Sequence, residues 1–388
     1  MLPEPTIEQL EHSEQLRQLI IDDIAERQGW IGFDRFMHLA LYAPGLGYYS
    51  GPMTKLGEQG DFITAPLMGR LFGRCVARQC AQVIANMTNP SIFEFGAGDG
   101  SLAVSVLEEL DALGVLPDRY FILETSAELK QRQHRAVGCL SIRLQNRVQW
   151  LDQLPGTIHG IVLANELLDA LPCKRFKVDS AGTISELGVS LTNNQFTWSK
   201  SSREIKNIDW LQSLNLKQDY HSELPLQAAS WVETVAELID QGLMLLIDYG
   251  FPRQEFYHSD RAEGTLMCHY RHHSHPDPFY LPGLQDITAH IDFTAIANAG
   301  IRGGLDLAGF CDQANFLLSC GLIDILADSQ SKGEPGTKEM LTLSAEVKKL
   351  TMPHEMGDLF KVIALCKGIE GILIGFKMRN HAGRLLNE

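Results

Sequence analysis

From Ser91 onward, short unbroken apolar runs alternate with longer stretches of helical spacing. "SIFEFG", "YFILE", "RVQWL" and "GIVLAN" read as strands. "SLAVSVLEELDALG" reads as a helix closed by Gly114, and "SAELKQRQHRAV" as a helix opened by Ser126. Further on, "WVETVAELIDQG" reads as a helix closed by Gly242 and "LMLLIDYG" as a strand; "GLDLAGFC" and "FKVIALCKG" are candidate last strands. A strand with one wet face alternates apolar and polar residues, and these runs do not. They suit strands buried on both faces, as in a parallel sheet covered by helices on either side. The expectation is an α/β fold.

The flanking segments follow other rules. Residues from about Thr6 to Ala40 read as helical, with apolar residues at Ile20, Ile21, Ile24, Phe33, Phe36, Met37 and Leu41. "APGLGYYSGP" breaks that pattern, and the glycine-rich "KLGEQGDFITAP" follows as a long loop. "LMGRLFGRCVARQCAQVIANM" returns to helical spacing. Within "TISELGVSLTNNQFTWS" the period drops to two, as in a solvated antiparallel hairpin turning at Asn193-Asn194. "ADSQSKGEPGTKE" reads as a polar loop. With 388 residues, the chain suits one large domain with insertions, or two. The division expected is a helical N-terminal extension over 1–68, the first part of the α/β core over 69–177, a β-rich insertion over 178–230, and the second part of the core over 231–388.

The formal net charge of −15 excludes a protein built to coat nucleic acid, which needs clustered Lys and Arg. It is compatible with a small-molecule ligand or a basic protein segment. The longest apolar runs, such as Gly242 to Gly250, are too short to span a bilayer. The acidic, polar N-terminus lacks the marks of a signal or transit peptide, so the expected compartment is the cytoplasm. The eight cysteines form no C-x-x-C pair, which suits free and mostly buried thiols.

"FEFGAGDGSLA" places Gly96, Gly98 and Gly100 straight after a strand. In doubly wound folds a ligand sits at the carboxyl ends of the strands, where a bare turn lets backbone approach it. A dinucleotide fingerprint wants G-x-G-x-x-G, and its third position here is Ser101. E-x-G-x-G-x, starting at Glu94, is instead the pattern of class I S-adenosylmethionine (SAM) enzymes. A tight turn with no ligand is the bland alternative. Glu124 ends the second strand, where a carboxylate can accept both hydroxyls of a ribose; its distance from the glycines exceeds the usual ~20 residues because the first helix is long. "NELLDALP" sets Asn165, Glu166 and Asp169 after the fourth strand. Were this segment to turn helically, Glu166 and Asp169 would share a face and suit a cation such as a guanidinium. "CHYRHHSH", ending at His275, invites a metal reading, but adjacent imidazoles and no H-E-x-x-H frame favour a plain loop, and no metal is expected.

Together these segments resemble the MidA-like SAM-dependent methyltransferases, the family that includes the mitochondrial complex I assembly arginine methyltransferase. The likeness rests on "FDRFMHLALYAPGLGYYS", "GDFITAP", "FEFGAGDGSLA", "NELLDALP", "LIDYGF" and "LPGLQDITAHIDF", spread from about residue 30 to 378. The resemblance implies a class I Rossmann-like methyltransferase core, SAM as methyl donor and a protein arginine as acceptor. It implies that Glu94, Gly96, Ala97, Gly98, Gly100, Glu124 and Asn165 line the cofactor. Gly60, Asp61, Phe62 and Thr64 would belong to a loop closing over the site, and Glu166 and Asp169 would face the substrate. The implied partner is a protein substrate such as a respiratory complex I-type subunit, and a homodimer is compatible with the chain. Leu67, where the signature loop carries Glu, and Asn165, where mitochondrial relatives carry His, leave the substrate contacts open. Two other readings stay open: a non-catalytic SAM-binding assembly factor, and a methyltransferase acting on a small molecule.

Overall fold

The computed structural model describes residues 2–51, 64–201, 205, 208–331 and 338–386. The chain forms two compact units. One, the sheet unit, comprises Ile63–Leu168, Trp231–Gly250 and Ile296–Glu388; the other comprises Met1–Phe62, Asp169–Ser230 and Phe251–Ala295.

Among the described residues, seven strands of the eight-stranded main sheet belong to the sheet unit: β1 (Ser91–Phe95), β2 (Tyr120–Leu123), β3 (Val148–Leu151), β4 (Ile158–Asn165), β5 (Ile239–Phe251), β6 (Asp306–Asp312) and β7 (Phe360–Lys367). Their spatial order is β6-β7-β5-β4-β1-β2-β3. Strands β3, β2, β1, β4 and β5 run parallel, with Phe95 paired to Leu123 on one side and to Ala164 on the other. The strand order therefore reverses between β1 and β4, which opens a crevice at their carboxyl ends. The all-parallel expectation fails at one side of the sheet. Strand β7 inserts between β5 and β6 and pairs antiparallel with both, with Leu246 opposite Ile363 and Cys311 opposite Val362. Burial on both faces makes β7 as uniformly apolar as its parallel neighbours, so hydropathy carries no sign of its direction.

Helices α1 (Leu71–Ile84), α2 (Ser101–Ala112) and α3 (Ala127–Val137) belong to the same unit. Ile92, Ile122, Ile161, Leu163, Leu245 and Val362 from the sheet pack in one core with Phe72 and Val76 of α1 and Val106, Leu107 and Leu110 of α2. Each such side chain, fully buried, contributes roughly 1.5–3 kcal/mol. Helix α2 ends where Gly114 turns left-handed (φ 70°) and Val115 N–H reaches back to Leu110 O. The Ser126 hydroxyl caps α3 by accepting from Leu129 N–H. The helix expected to run to Gly242 instead stops at Leu238, and β5 begins at Ile239. The polar break at Asp240-Gln241-Gly242, which reads as a helix end, instead falls inside β5, at an irregularity in its pairing with β4.

The second unit is described separately. The expected helix from Thr6 to Ala40 is two, Ile7–Glu26 and Phe33–Tyr42, parted by Gln28 and Gly29 with φ of 64° and 86°. The hairpin at Asn193-Asn194 forms as expected: strands Ile184–Thr192 and Gln195–Lys200 pair antiparallel, and both asparagines adopt left-handed φ. Its first strand also pairs with Ile31–Gly32 and with Lys174–Val178, so residues 178–230 share a five-stranded sheet with residues from the N-terminal extension. Val189 is fully buried against Phe33 and Phe36, so the hairpin is solvated on one face at most. The His-rich segment is a hairpin rather than a loop, Met267–Tyr270 against His273–His275. Of the stretch read as a polar loop, residues 327–331 continue the helix Leu322–Ser331, and Lys338 and Glu339 begin the helix Lys338–Thr351.

Candidate active site

Four features of the sheet unit converge at the carboxyl ends of β1, β2 and β4. The glycine turn follows β1. Gly96, Gly98 and Gly100 have φ of 69°, 54° and 91°, all left-handed, where an L side chain is strained. A Cβ on Gly96 would lie 2.9 Å from Leu167 Cδ1, and one on Gly100 would lie 3.1 Å from the Gln133 Cα of α3. Glycine at position 100 thus answers to a neighbouring helix, a reason that a reading based on ligand clearance does not supply. The Asp99 carboxylate accepts from Ser101 N–H (2.9 Å) and so starts α2.

Glu124 stands at the end of β2, half-buried. One carboxylate oxygen accepts from Ser126 N–H (2.8 Å) and the other from Gln133 Nε2 (3.0 Å). Two donors thus set its orientation.

Glu94 lies inside β1, almost wholly buried. Its Oε2 accepts from the Tyr120 hydroxyl at 2.7 Å. Burial pushes its carboxyl up to about 7; the Tyr120 hydrogen bond opposes that rise, and the charges of Asp99 and Glu124 add to it.

After β4, Glu166 N–H still donates to Ile247 O of β5 (2.9 Å), but Glu166 itself has φ of 52°. A non-glycine residue held there is costly, and such strain collects at functional sites. Asn165 Nδ2 donates to Glu166 Oε1 (3.1 Å), while Asn165 Oδ1 is buried with no hydrogen-bond partner among the described residues. Asp248, at 1 % exposure, holds the following chain: its Oδ2 accepts from Leu168 N–H and its Oδ1 from Tyr249 N–H, both at 2.8 Å.

The helical turn that would have put Glu166 and Asp169 on one face does not form. The strand ends at Asn165, and the left-handed φ of Glu166 then redirects the chain. Asp169 belongs to the second unit, where its carbonyl accepts from Ala289 N–H (3.0 Å). Thr64 stands just before the short helix Ala65–Met68 of the sheet unit, with no side-chain capping bond among the described residues; Gly60, Asp61 and Phe62 lie outside the described residues. Ala97 is buried within the turn.

The sequence reading missed Gln133, Trp150, Tyr120 and Asp248. Asp248 and Tyr120 are polar residues in otherwise apolar strands, a signal that was there to be read. Gln133 and Trp150 gave none.

Among the described residues, no group of three or more His, Cys, Asp and Glu side chains could hold a metal ion, and no helix is long and apolar enough to cross a membrane. A cavity of about 590 Å³ opens elsewhere on the sheet unit, lined by Arg70, Arg74, Glu108, Glu109, Cys139 and Ser329 among others. No residue of the strand ends contributes to it. Both of its arginines are paired, Arg74 with Glu109 at 2.6 Å and Arg70 with Glu108, so the glycine turn remains the candidate site.

The profile of a family described as "Putative S-adenosyl-L-methionine-dependent methyltransferase" matches residues 75–311. The chain belongs to this family. A solved structure of a COG1565 superfamily member from Burkholderia thailandensis, bound to S-adenosyl-homocysteine, is similar over 99% of this chain and 100% of that one, at 41% identity and a TM-score of 0.94. Relatives named protein arginine methyltransferase NDUFAF7 homolog, mitochondrial, in Drosophila melanogaster and protein arginine methyltransferase NDUFAF7, mitochondrial, in Homo sapiens are 27% and 24% identical. The matches cover 88% and 87% of this chain, and 82% and 80% of those proteins. This family member is a SAM-dependent methyltransferase with a Rossmann-like core, and the strand order with its single antiparallel insertion agrees. The residues at the crevice fit the cofactor. A left-handed glycine turn leaves backbone open to close approach, Glu124 is fixed as a carboxylate at the end of β2, and Asn165 Oδ1 is a buried acceptor in need of a donor.

Proposed function

We propose that this methyltransferase modifies arginine side chains of protein substrates, with Glu166 as the acceptor-side carboxylate. The observation that carries the reading is the Glu166 backbone. A carboxylate is held in a strained left-handed conformation at the carboxyl end of β4, one strand from the glycine turn. The names of the relatives support the acceptor class.

When bound, S-adenosylmethionine supplies an electrophilic methyl group on a sulfonium. The work left to the chain is positioning, because holding nucleophile and methyl in line removes most of the barrier to such a displacement. Glu94, Gly96, Ala97, Gly98, Gly100, Glu124 and Asn165 are assigned to the cofactor, with Glu124 accepting from the ribose hydroxyls. Glu166 is assigned to the guanidinium. A carboxylate there draws positive charge toward the nitrogens it contacts and leaves the remaining one more nucleophilic. Asn165 Nδ2, bonded to Glu166 Oε1, helps hold that carboxylate in place.

The test combines two measurements on Glu166→Gln. S-adenosylhomocysteine affinity by calorimetry should stay within about threefold of wild type. Transfer of labelled methyl to arginine-containing protein in a lysate should fall at least 100-fold, in the range seen when a preorganised charge is removed. Label appearing in the small-molecule fraction, or unchanged turnover, would refute the assignment.

A further inference from the structure

We propose that Gln133 is a positioning residue of the cofactor site, tying the glycine turn to Glu124 through one carboxamide whose orientation Trp150 fixes. Gln133 lies on α3 and is completely buried. Its Nε2 donates to Gly98 O at 2.9 Å and to Glu124 Oε2 at 3.0 Å. Its Oε1 accepts from Trp150 Nε1 at 2.9 Å. All four groups belong to the sheet unit.

Chemistry leaves the carboxamide one way to lie. An indole N–H can only donate, so the oxygen of Gln133 must face Trp150. The amide nitrogen then faces a carbonyl and a carboxylate, which can only accept. Reversed, the carboxamide would set N–H against N–H and oxygen against two oxygens, in a place closed to water. The side chain therefore has a single low-energy state. Through it, the carbonyl in the middle of the glycine turn and the carboxylate at the end of β2 are held at a fixed separation.

That separation matters for a ligand with two ends. On the assignment proposed above, the glycine turn takes the amino-acid part and Glu124 the ribose. Each group could be placed by its own loop, but loops move independently. One buried amide bonded to both makes a shift at one end felt at the other. Helix α3 is registered against the turn a second time, because Gly100 packs directly on the Gln133 backbone. A surface glutamine, the ordinary reading of this residue in so polar a helix, would do none of this.

The inference rests on the assignment of S-adenosylmethionine to this crevice. Calorimetry with S-adenosylhomocysteine on the full chain tests both, using wild type, Gln133→Met, Glu124→Ala and the double variant. Met keeps the length of the side chain and removes both donors. Gln133→Met should weaken binding about tenfold or more, as should Glu124→Ala. The double variant should bind at least fivefold better than the product of the two losses requires, because each variant disables what the other acts through. Losses that multiply, or Gln133→Met binding as wild type does, would overturn the inference and leave the cofactor assignment standing. Wild type failing to bind would overturn both. A purely structural glutamine would lower the melting temperature and show no coupling to Glu124. Trp150→Phe keeps a ring, frees the amide to flip and should cost about threefold or more. Should Gln133→Met not fold, the cycle of Trp150→Phe with Glu124→Ala decides the question by the same criterion.

Discussion

Replacing Glu94 by glutamine isolates the cost of a carboxyl buried inside strand β1. In the folded chain burial pushes this group up to about 7, against 4.5 for an ordinary glutamate. Between those values the folded state keeps the proton that the unfolded chain has released. Stability is therefore fully present below about 4.5 and falls as pH rises to about 7. At about 1.4 kcal/mol per decade, the whole loss is about 3 kcal/mol, and the part between pH 5.5 and 8 is about 2 kcal/mol. Glutamine imitates the protonated carboxyl, still accepts from the Tyr120 hydroxyl and has nothing to titrate. The groups facing Glu94 are Tyr120, Asp99, Glu124 and the Cys80 thiol. Other residues bend the curve too; His269 and His275, held neutral by burial, lose stability as pH falls below their ordinary values. The difference between variant and wild type removes those common contributions. Urea unfolding at pH 5.5 and 8 should show Glu94→Gln gaining about 2 kcal/mol on wild type over that interval. Parallel pH profiles would refute the reasoning, and so would a gap that narrows toward pH 8.

Two further substitutions probe the crevice. Gly100→Ala forces a side chain into a left-handed φ of 91° and against the Gln133 Cα; it should cost about 1–2 kcal/mol in thermal unfolding and weaken S-adenosylhomocysteine binding as α3 is pushed away. Asp248→Asn turns an amide N–H toward a backbone N–H that the carboxylate now accepts from; denaturant unfolding should register a loss of about 1–3 kcal/mol.

Much of the sheet unit was readable because burial on both faces imposes one pattern, an unbroken apolar run, on each of its strands. The same uniformity hid what differed among them. Strand β7 is as apolar as β4, so its reversed direction left no trace, and the polar break at Asp240-Gln241-Gly242 lies past the point where helix gives way to strand. Turn chemistry was readable at Asn193-Asn194, where asparagine tolerates a left-handed backbone. It was not at Arg271-His272, which adopt φ of 47° and 62° without a glycine or asparagine to signal it. That the glycines, Glu124 and Glu166 stand at strand ends was legible because each follows directly on an apolar run. Gln133 was not. A glutamine on a polar helix resembles its solvated neighbours, and its interior position follows from where α3 docks, which no local pattern encodes. The reason for pairing Glu166 with Asp169 failed, since the helical turn invoked for them is replaced by a left-handed residue just past the strand.

The contact between Gly100 and α3 has a bearing on engineering. To reshape the crevice for an enlarged cofactor analogue, residues at the turn would be the natural ones to vary. Ala97 and Asp99 already carry side chains, and a Cβ at Gly96, though strained by its left-handed φ, would meet only the movable end of Leu167. Gly100 offers no such freedom, because its obstacle is backbone. A library that varies the whole turn would spend its diversity at position 100 on chains that displace a helix, whatever ligand is offered.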